Sequence, residues 1–303
     1  MHTVTVTART AAMLAAVALI GVFGGAPAHA NPADPPGSLS YGGWQRTYQV
    51  HAPVGGAPVG LVLNLHGAGM TSGEQAALTD YNAVADQYGF VVAYPDGIDL
   101  SWADGRGASI PDRQGIDDVG FLAALIDRLS AEYGIPPGRV FVTGMSAGAF
   151  MANRLACDRA DLISAIAPVA GTLGAGVPCA PSRPVSVLQI HGTADPVVPY
   201  TGGGMVGRGG PSEILSAPAV AALWAAVDGC PGALTAQAPA PGEIQRSVAA
   251  GCAGGTEVAL VSIDGGGHTW PAGRFALAAA VVGPTSQAIN ASQASAQFFA
   301  ARV

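Results

Sequence analysis

Six short apolar runs, each bounded by glycine, proline or polar residues, constrain the fold of this chain more than any other feature. They lie at 61–66, 90–94, 140–143, 163–169, 185–191 and 257–263. Continuous apolar runs of this length are typical of strands that are covered on both faces. Apolar residues at helical spacing intervene at 78–88 and at 119–129, where Asp118 precedes the second helix as a possible cap and Gly134 ends it. Strands that alternate with helices predict an α/β fold with a doubly wound, mostly parallel sheet and helices on both faces.

The composition is compatible with one large domain. Half of the 303 residues are hydrophobic, which is enough to build a core, and only 11% are charged. Single α/β domains often reach this length. The formal net charge of −7, without any basic run, argues against nucleic-acid binding.

The first 30 residues have the pattern of a secretory signal peptide. Arg9 is the lone cation, an apolar run follows at 11–25, and Ala28 and Ala30 supply a small-residue cleavage site. We therefore expect a secreted protein in which residues 31–303 form a single domain; an uncleaved anchor is the alternative. The apolar run is shorter than the roughly 20 residues that span a bilayer, so no stable membrane insertion is expected.

Four cysteines follow the predicted signal peptide, at Cys157, Cys179, Cys230 and Cys252. Export would place them in an oxidising compartment, where disulfides form. Three pairings are possible, and we favour Cys157 with Cys179 and Cys230 with Cys252 because each closes a short local loop. Neither C-x-x-C nor H-E-x-x-H occurs, and the G-x-G-x-x-G match at 202–207 is not followed by a helical pattern. The sequence therefore predicts no metal and no organic cofactor.

The segment 139–156 carries the most informative motif. A strand pattern passes directly into a helix through G-x-S-x-G, with Ser146 at its centre. Such a turn holds the serine in a strained conformation, and Gly144 and Gly148 avoid the collisions that larger residues would make. The hydroxyl is then presented above the sheet at a helix N-terminus, where negative charge is favoured. The motif predicts Ser146 as a nucleophile, the alternative being a chance turn in a glycine-rich chain.

A serine nucleophile needs a histidine base, which in this strand-turn-helix context comes after it in the chain. Only His191 and His268 follow Ser146. His191 lies at the end of its own strand with no well-placed carboxylate before it. His268 lies in a glycine-rich loop after the last strand, from which it can reach back over the sheet. We therefore expect His268 to be the base.

The carboxylate that orients the base should follow a strand between these two residues. Asp195 has this position, whereas Asp228 follows a predicted helix and Asp264 is too close to the base in sequence. Acyl transfer also needs donors for the oxyanion. We expect the backbone N–H groups of Ala147, directly after the nucleophile, and of Ala68, in the loop after an early strand.

Two tryptophans are candidates for substrate binding. Trp270 lies two residues after His268, and Trp102 lies in a loop between predicted elements. Indole rings offer large, flat apolar surfaces that suit an acyl group or an aromatic ester. Simple packing in the core is the alternative for both.

Seven motifs together resemble the polyhydroxybutyrate depolymerase and feruloyl esterase family. They are HGAG at 66–69, FVVAYPDG at 90–97, DDVGF at 117–121, GMSAG at 144–148, APVAG at 167–171, HGTAD at 191–195 and GGGHTWP at 265–271. The resemblance covers most of residues 31–303. It implies an α/β-hydrolase fold and a secreted esterase with Ser146, Asp195 and His268 as its triad. The family includes enzymes that act on hydroxyalkanoate polyesters, on feruloylated or acetylated polysaccharides and on small aryl esters, and the resemblance does not choose between them.

The predicted reaction is therefore two-step acyl transfer from an ester substrate to water through an acyl-enzyme. Three alternatives stay open at this point. An acyltransferase or a serine peptidase would use the same residues on the same fold. A noncatalytic secreted binding protein would keep the fold without the chemistry.

Overall fold

The six apolar runs form six fully buried strands of one sheet in the computed structural model, which describes residues 36–237, 244–275 and 278–303. The predicted signal peptide at 1–30 lies outside the described residues. The strands of the described ranges are β1 (Gly37–Tyr41), β2 (Trp44–His51), β3 (Gly60–Leu65), β4 (Phe90–Pro95), β5 (Val140–Met145), β6 (Ala165–Val169), β7 (Ser186–Gly192), β8 (Gly203–Gly207), β9 (Gly210–Ile214), β10 (Thr235–Ala236), β11 (Ile244–Ala249) and β12 (Val258–Ile263).

The helices alternate with these strands as the sequence predicts. In the described ranges they are α1 (Ser72–Thr79), α2 (Tyr81–Tyr88), α3 (Ile110–Gln114), α4 (Asp118–Tyr133), α5 (Ala147–Asp158), α6 (Ala217–Val227), α7 (Ala279–Val282) and α8 (Ala291–Ala300). Gly134 caps the C-terminus of α4 in the left-handed conformation, as expected.

The main sheet has the order β1-β2-β4-β3-β5-β6-β7-β12-β11-β10, and its six central strands are parallel. Antiparallel strands extend it at both ends. This arrangement confirms the predicted doubly wound, mostly parallel α/β sheet. Because the six central strands run the same way, the loops that follow β3, β5, β7 and β12 all leave from one edge of the sheet. The site residues described below lie at that edge.

Both faces of the sheet are covered by helices. On one face, Leu125 of α4, Leu155 of α5 and Trp224 of α6 pack in one buried cluster. On the other face, Tyr81 of α2 and Phe299 of α8 belong to a second buried cluster. Burial on both faces explains why the central strands are continuously apolar rather than alternating. In the part of the chain that the structure describes, no helix has the length and apolarity needed to cross a membrane.

Two local expectations were wrong. The helical pattern at 78–88 spans two helices, because Asp80 takes a left-handed conformation (φ 49°) between α1 and α2. Asp118 does not cap α4: the side chain of Asp117 accepts the N–H of Gly120 at 2.8 Å instead. Asp118 is the first helical residue and points inward, where its carboxylate pairs with the guanidinium of Arg46 at 2.7 Å.

The two favoured disulfides are both present. Cys157 pairs with Cys179 and Cys230 pairs with Cys252, and the described residues contain no free cysteine. Each bond joins residues 22 positions apart, so each restricts only a local loop in the unfolded chain.

Candidate active site

Ser146 lies at the turn between β5 and α5, in a conformation that side chains rarely adopt. Its φ is 55° and its ψ is −118°, and its N–H donates to the carbonyl of Val169 in the neighbouring strand at 3.0 Å. Both motif glycines are sterically required. A methyl group on Gly144 would lie 2.7 Å from the carbonyl oxygen of Leu65, and one on Gly148 would lie 2.7 Å from that of His66. The sequence argument for the strained turn is therefore supported by the packing.

Three side chains from three different strand ends meet at this turn. Nε2 of His268 lies 2.9 Å from Oγ of Ser146, and Nδ1 of His268 lies 2.8 Å from Oδ2 of Asp195. His268 and Asp195 are buried, whereas Ser146 is partly exposed. The arrangement suits proton transfer, because an acceptor nitrogen faces the hydroxyl while the other ring nitrogen faces a carboxylate.

The carboxylate of Asp195 is held by more groups than the sequence predicted. Its Oδ1 accepts the N–H groups of Val197 and Val198, both at 2.8 Å. Burial alone would raise the pKa of Asp195, but the hydrogen bonds from His191, His268 and the Val198 N–H outweigh burial and hold that pKa well below its usual range. The carboxylate therefore stays charged and can stabilise a protonated His268.

His191, the alternative base, does not face the nucleophile. It is buried, and its Nε2 lies 2.9 Å from the carbonyl oxygen of Val198 and 3.5 Å from Oδ2 of Asp195. It therefore contacts the carboxylate of Asp195, whereas His268 contacts both that carboxylate and the hydroxyl of Ser146. Its spacing of four residues from Asp195 in the HGTAD motif was the available sequence signal for this role.

The loop of the HGAG motif lies directly against the nucleophile. A methyl group on Gly67 would be 3.6 Å from Cβ of Ser146, and Gly67 itself is buried. Ala68 follows it and is exposed. On the other side of the turn, Ala147 is the first residue of α5, so its N–H has no acceptor within the helix. The loop that carries Ala68 therefore lies against the nucleophile, and Ala147 follows the nucleophile directly in the chain.

His66 fixes the orientation of the peptide that joins Gly67 to Ala68. Its Nε2 accepts the N–H of Gly97 at 2.9 Å, which leaves Nδ1 to carry the proton and donate to the carbonyl of Gly67 at 2.8 Å. Burial lowers the pKa of His66, so the ring is neutral. In a trans peptide the N–H points opposite to the carbonyl. The N–H of Ala68 is thus directed away from His66.

Trp102 and Trp270 do not offer faces to a substrate, contrary to the sequence prediction. Their exposures are 0% and 1%. Nε1 of Trp102 donates to the carbonyl of His66 at 2.9 Å, and Nε1 of Trp270 donates to Oγ of Ser292 at 3.0 Å. Both rings are packed in the interior, beneath the loops that carry the site, and are therefore not accessible to a substrate. They support the HGAG loop and the His268 loop from inside.

A glycine-rich hairpin at the rim of the site was not apparent in the sequence. Strands β8 and β9 form a separate two-stranded sheet, and Arg208 lies in the turn between them. A guanidinium N–H of Arg208 donates to the carbonyl of Asp99 at 2.6 Å. The N–H of Gly69 donates to the carbonyl of Leu100 at 2.8 Å. These contacts connect the hairpin to the HGAG loop.

The described residues offer no arrangement for a metal centre. Among them, no group of three or more His, Cys, Asp or Glu side chains could hold a metal ion. The polar groups at the site are instead a hydroxyl, an imidazole, a carboxylate and backbone N–H groups.

The parallel sheet and the turn at Ser146 define an α/β-hydrolase, and comparison with known proteins is consistent with this class. The solved acetyl xylan esterase from Aspergillus awamori superposes with a TM-score of 0.56 at 18% identity, covering 74% of this chain and 89% of that one. At this identity the likeness concerns the fold alone.

Sequence comparison defines the family. The model described as "Esterase PHB depolymerase" matches residues 47–202, half of the chain. The putative esterase NocK of Nocardia uniformis subsp. tsuyamanensis is 30% identical over 84% of this chain and 79% of that protein. Feruloyl esterase B of Piromyces equi is 33% identical over 65% of this chain but only 36% of its own length. The chain belongs to the PHB depolymerase esterase family and thus to the carboxylic ester hydrolases.

Proposed function

We propose that this protein is a secreted serine esterase that cleaves carboxylic esters through Ser146, His268 and Asp195. The observation that carries the proposal is the continuous hydrogen-bonded series from Oγ of Ser146 through His268 to Asp195, at 2.9 and 2.8 Å. Residues 31–303 would form the single catalytic domain after removal of residues 1–30. The two disulfides support an extracellular location, because such bonds persist in oxidising compartments.

In the acylation step, Oγ of Ser146 attacks the ester carbonyl while Nε2 of His268 takes the hydroxyl proton. The N–H groups of Ala147 and Ala68 donate to the oxygen that becomes negatively charged, and Asp195 stabilises the imidazolium. The intermediate collapses when His268 returns the proton to the leaving alcohol, which departs and leaves an ester on Ser146.

In the deacylation step, water replaces the alcohol. His268 takes a proton from the water as its oxygen attacks the acyl carbon, and the same N–H groups stabilise the second oxyanion. The carbon–oxygen bond to Ser146 breaks, Oγ recovers the proton from His268, and a carboxylic acid is released. The net reaction consumes one water for each ester bond.

The substrates we propose are the ester classes of the family: hydroxyalkanoate oligomers or polyester, and feruloyl or acetyl esters of polysaccharides. The name of the relative feruloyl esterase B supports the second class. A panel of acetyl, butyryl, feruloyl and hydroxybutyrate-oligomer esters, tested side by side, would rank them by kcat/KM.

The decisive test is Ser146→Ala. We expect ester hydrolysis to fall by about 10⁴-fold or more, because the loss of the nucleophile leaves only the oxyanion donors and binding. Ser38→Ala, at an exposed serine of β1, is the matched control and should retain full activity. A fluorophosphonate should label the wild-type protein and the control but not Ser146→Ala.

Retention of most ester hydrolysis in Ser146→Ala would overturn the nucleophile assignment. Failure of the probe to label folded wild-type protein would instead favour a noncatalytic binding protein. Matched ester and amide substrates separate an esterase from a peptidase. Transfer product in excess of free acid, in the presence of an alcohol, would indicate an acyltransferase.

A further inference from the structure

A groove of about 410 Å³ lies away from the catalytic residues, between the β1–β2 turn and the segment that joins α3 to α4. The residues that line it include Tyr41, Trp44, Arg46, Gln114 and Asp117. The volume is within the range of small-molecule sites. None of these residues takes part in the mechanism proposed above.

Trp44 gives the groove an exposed aromatic surface. It is 45% exposed, whereas Trp102, Trp224 and Trp270 are at most 1% exposed. An indole left open to water beside polar groups provides apolar contact area for a ligand that has one apolar face.

Hydrogen-bonding groups line the same groove. The Tyr41 hydroxyl donates to Oδ2 of Asp117 at 2.9 Å, and Oδ1 of Asp117 accepts the N–H of Gly120 at 2.8 Å. A carboxylate has about four lone-pair sites, so Asp117 can accept further hydroxyl donors. Gln114 is exposed and supplies both a donor and an acceptor.

The charges of the groove favour a neutral ligand. The guanidinium of Arg46 is 2% exposed and is paired with Asp118 at 2.7 Å, so it does not present a free positive charge. Asp117 disfavours an anion. A metal cation at Asp117 would leave the apolar face of Trp44 unused, whereas a sugar can use the carboxylate and the indole together.

We infer that this groove binds a sugar unit of a neutral oligosaccharide. The C–H face of a pyranose ring would pack on the indole of Trp44, and its hydroxyls would reach Asp117, Gln114 and the Tyr41 oxygen. A polyester lacks the hydroxyl donors that Asp117 accepts. The inference therefore selects the polysaccharide esters among the substrates proposed above, and it rests on that proposed function.

The position of the groove suits a remote subsite for the same substrate. Tyr48 of β2 is opposite Pro95 of β4, and β4, β3 and β5 follow in order across the sheet. Three strand spacings separate β2 from β5, or about 14 Å. Trp44 begins β2 at the edge where β5 ends before Ser146. The proposal therefore requires a substrate that extends across at least these three strand spacings, as an oligosaccharide chain does.

The binding test uses Ser146→Ala, which cannot turn over, and xylohexaose, which carries no ester. We expect saturable binding by titration calorimetry, weakened about tenfold or more when Trp44→Ala is added, because an aromatic anchor carries much of the affinity of such a contact. Val54→Ala, at a 91%-exposed residue beyond the opposite end of β2 from Trp44, is the control and should leave binding unchanged. Acrylamide should quench the fluorescence of Trp44 selectively, and the sugar should protect it.

Absence of xylohexaose binding, or equal binding with and without Trp44, would overturn the inference. So would protection of Trp44 by a hydroxybutyrate oligomer or by a lysine-rich peptide but not by the sugar.

Kinetics provide a second, independent test. On acetylated xylohexaose, Trp44→Ala should raise KM about tenfold with little change in kcat, because a remote subsite contributes binding that is equal in the ground and transition states. On p-nitrophenyl acetate, which cannot reach the groove, the variant should match the wild-type protein. If Trp44→Ala had the same KM and kcat as the wild-type protein on both substrates, the subsite would be refuted. Inactivity of the wild-type protein on every ester would refute the proposed function instead, and calorimetry would still judge the groove.

Discussion

Replacing Gly148 with alanine tests whether one close backbone contact holds Ser146 and the HGAG loop in place relative to each other. The added methyl group would lie 2.6 Å from the carbonyl carbon of Leu65 and 2.7 Å from the carbonyl oxygen of His66, where ordinary contact begins at 3.4 Å. The carbonyl oxygen of Leu65 would be closer still, so the end of β3 would have to move by more than about 1 Å. Leu65, at the end of β3, precedes Ala68 by three residues, so the proposed oxyanion donor would move with it.

A misplacement of about 1 Å can cost about 100-fold in rate. We therefore expect kcat of Gly148→Ala to fall about 100-fold or more, which is at least about 2.7 kcal/mol of activation free energy. KM should change little, since the proposed oxyanion donors act on the transition state. The assay is hydrolysis of p-nitrophenyl butyrate, with active sites counted by fluorophosphonate labelling so that unfolded protein does not contribute.

Gly176→Ala is the matched control, because no other atom lies within 4 Å of a methyl group placed there. It should keep wild-type kcat. A Gly148→Ala protein with wild-type kcat and wild-type unfolding temperature would refute the reasoning, because the methyl group would then have been accommodated without moving the loop.

Three further predictions concern stability. Burial lowers the pKa of His66 below its unfolded value of about 6.5, so the unfolded chain binds a proton that the folded chain does not. The unfolding free energy should therefore fall as pH drops below about 6.5. Urea titrations at pH 7.5 and 5.5 should show a smaller difference for His66→Gln than for the wild-type protein. Burial raises the pKa of Asp228 to about 6, so ionising this carboxyl costs folding stability as pH rises from about 4 to 6. The unfolding temperature of Asp228→Asn should therefore exceed that of the wild-type protein at pH 8 but not at pH 4. Replacing Cys230 and Cys252 together with serine should lower the unfolding free energy by about 3 kcal/mol in urea, and no change would show that this loop is restricted without its disulfide.

The sequence predicted the fold because the order of apolar runs and helices determines it, and the same order places Ser146, Asp195 and His268 after parallel strands. The buried parallel strands are readable as continuous apolar runs, and each site residue comes directly after one of them. Ser146 follows β5, Asp195 follows β7 and His268 follows β12. Parallel strands end at one edge, so residues far apart in sequence are brought together without any knowledge of their side-chain packing.

The failures concern properties that only tertiary packing decides. Trp102 and Trp270 are as apolar as Trp44, yet the first two are buried and the third is exposed. Adjacent aspartates exchanged roles for the same reason: Arg46, 72 residues away, draws Asp118 inward and leaves Asp117 to cap the helix. The β8–β9 hairpin was missed because its glycines give no alternation of apolar and polar residues.

Because of the conformation of Ser146, enzymatic activity requires that the strands around this residue have already come together. At φ 55° the residue is disfavoured by its own backbone and is held only by its surroundings. Three strands provide those surroundings. Ser146 directly follows β5, its N–H donates to the carbonyl of Val169 in β6, and the loop after β3 lies against its Cβ. A chain that has formed its helices but not yet joined these strands carries the same serine without the reactive geometry. Recovery of hydrolysis during refolding should therefore lag behind recovery of helical content.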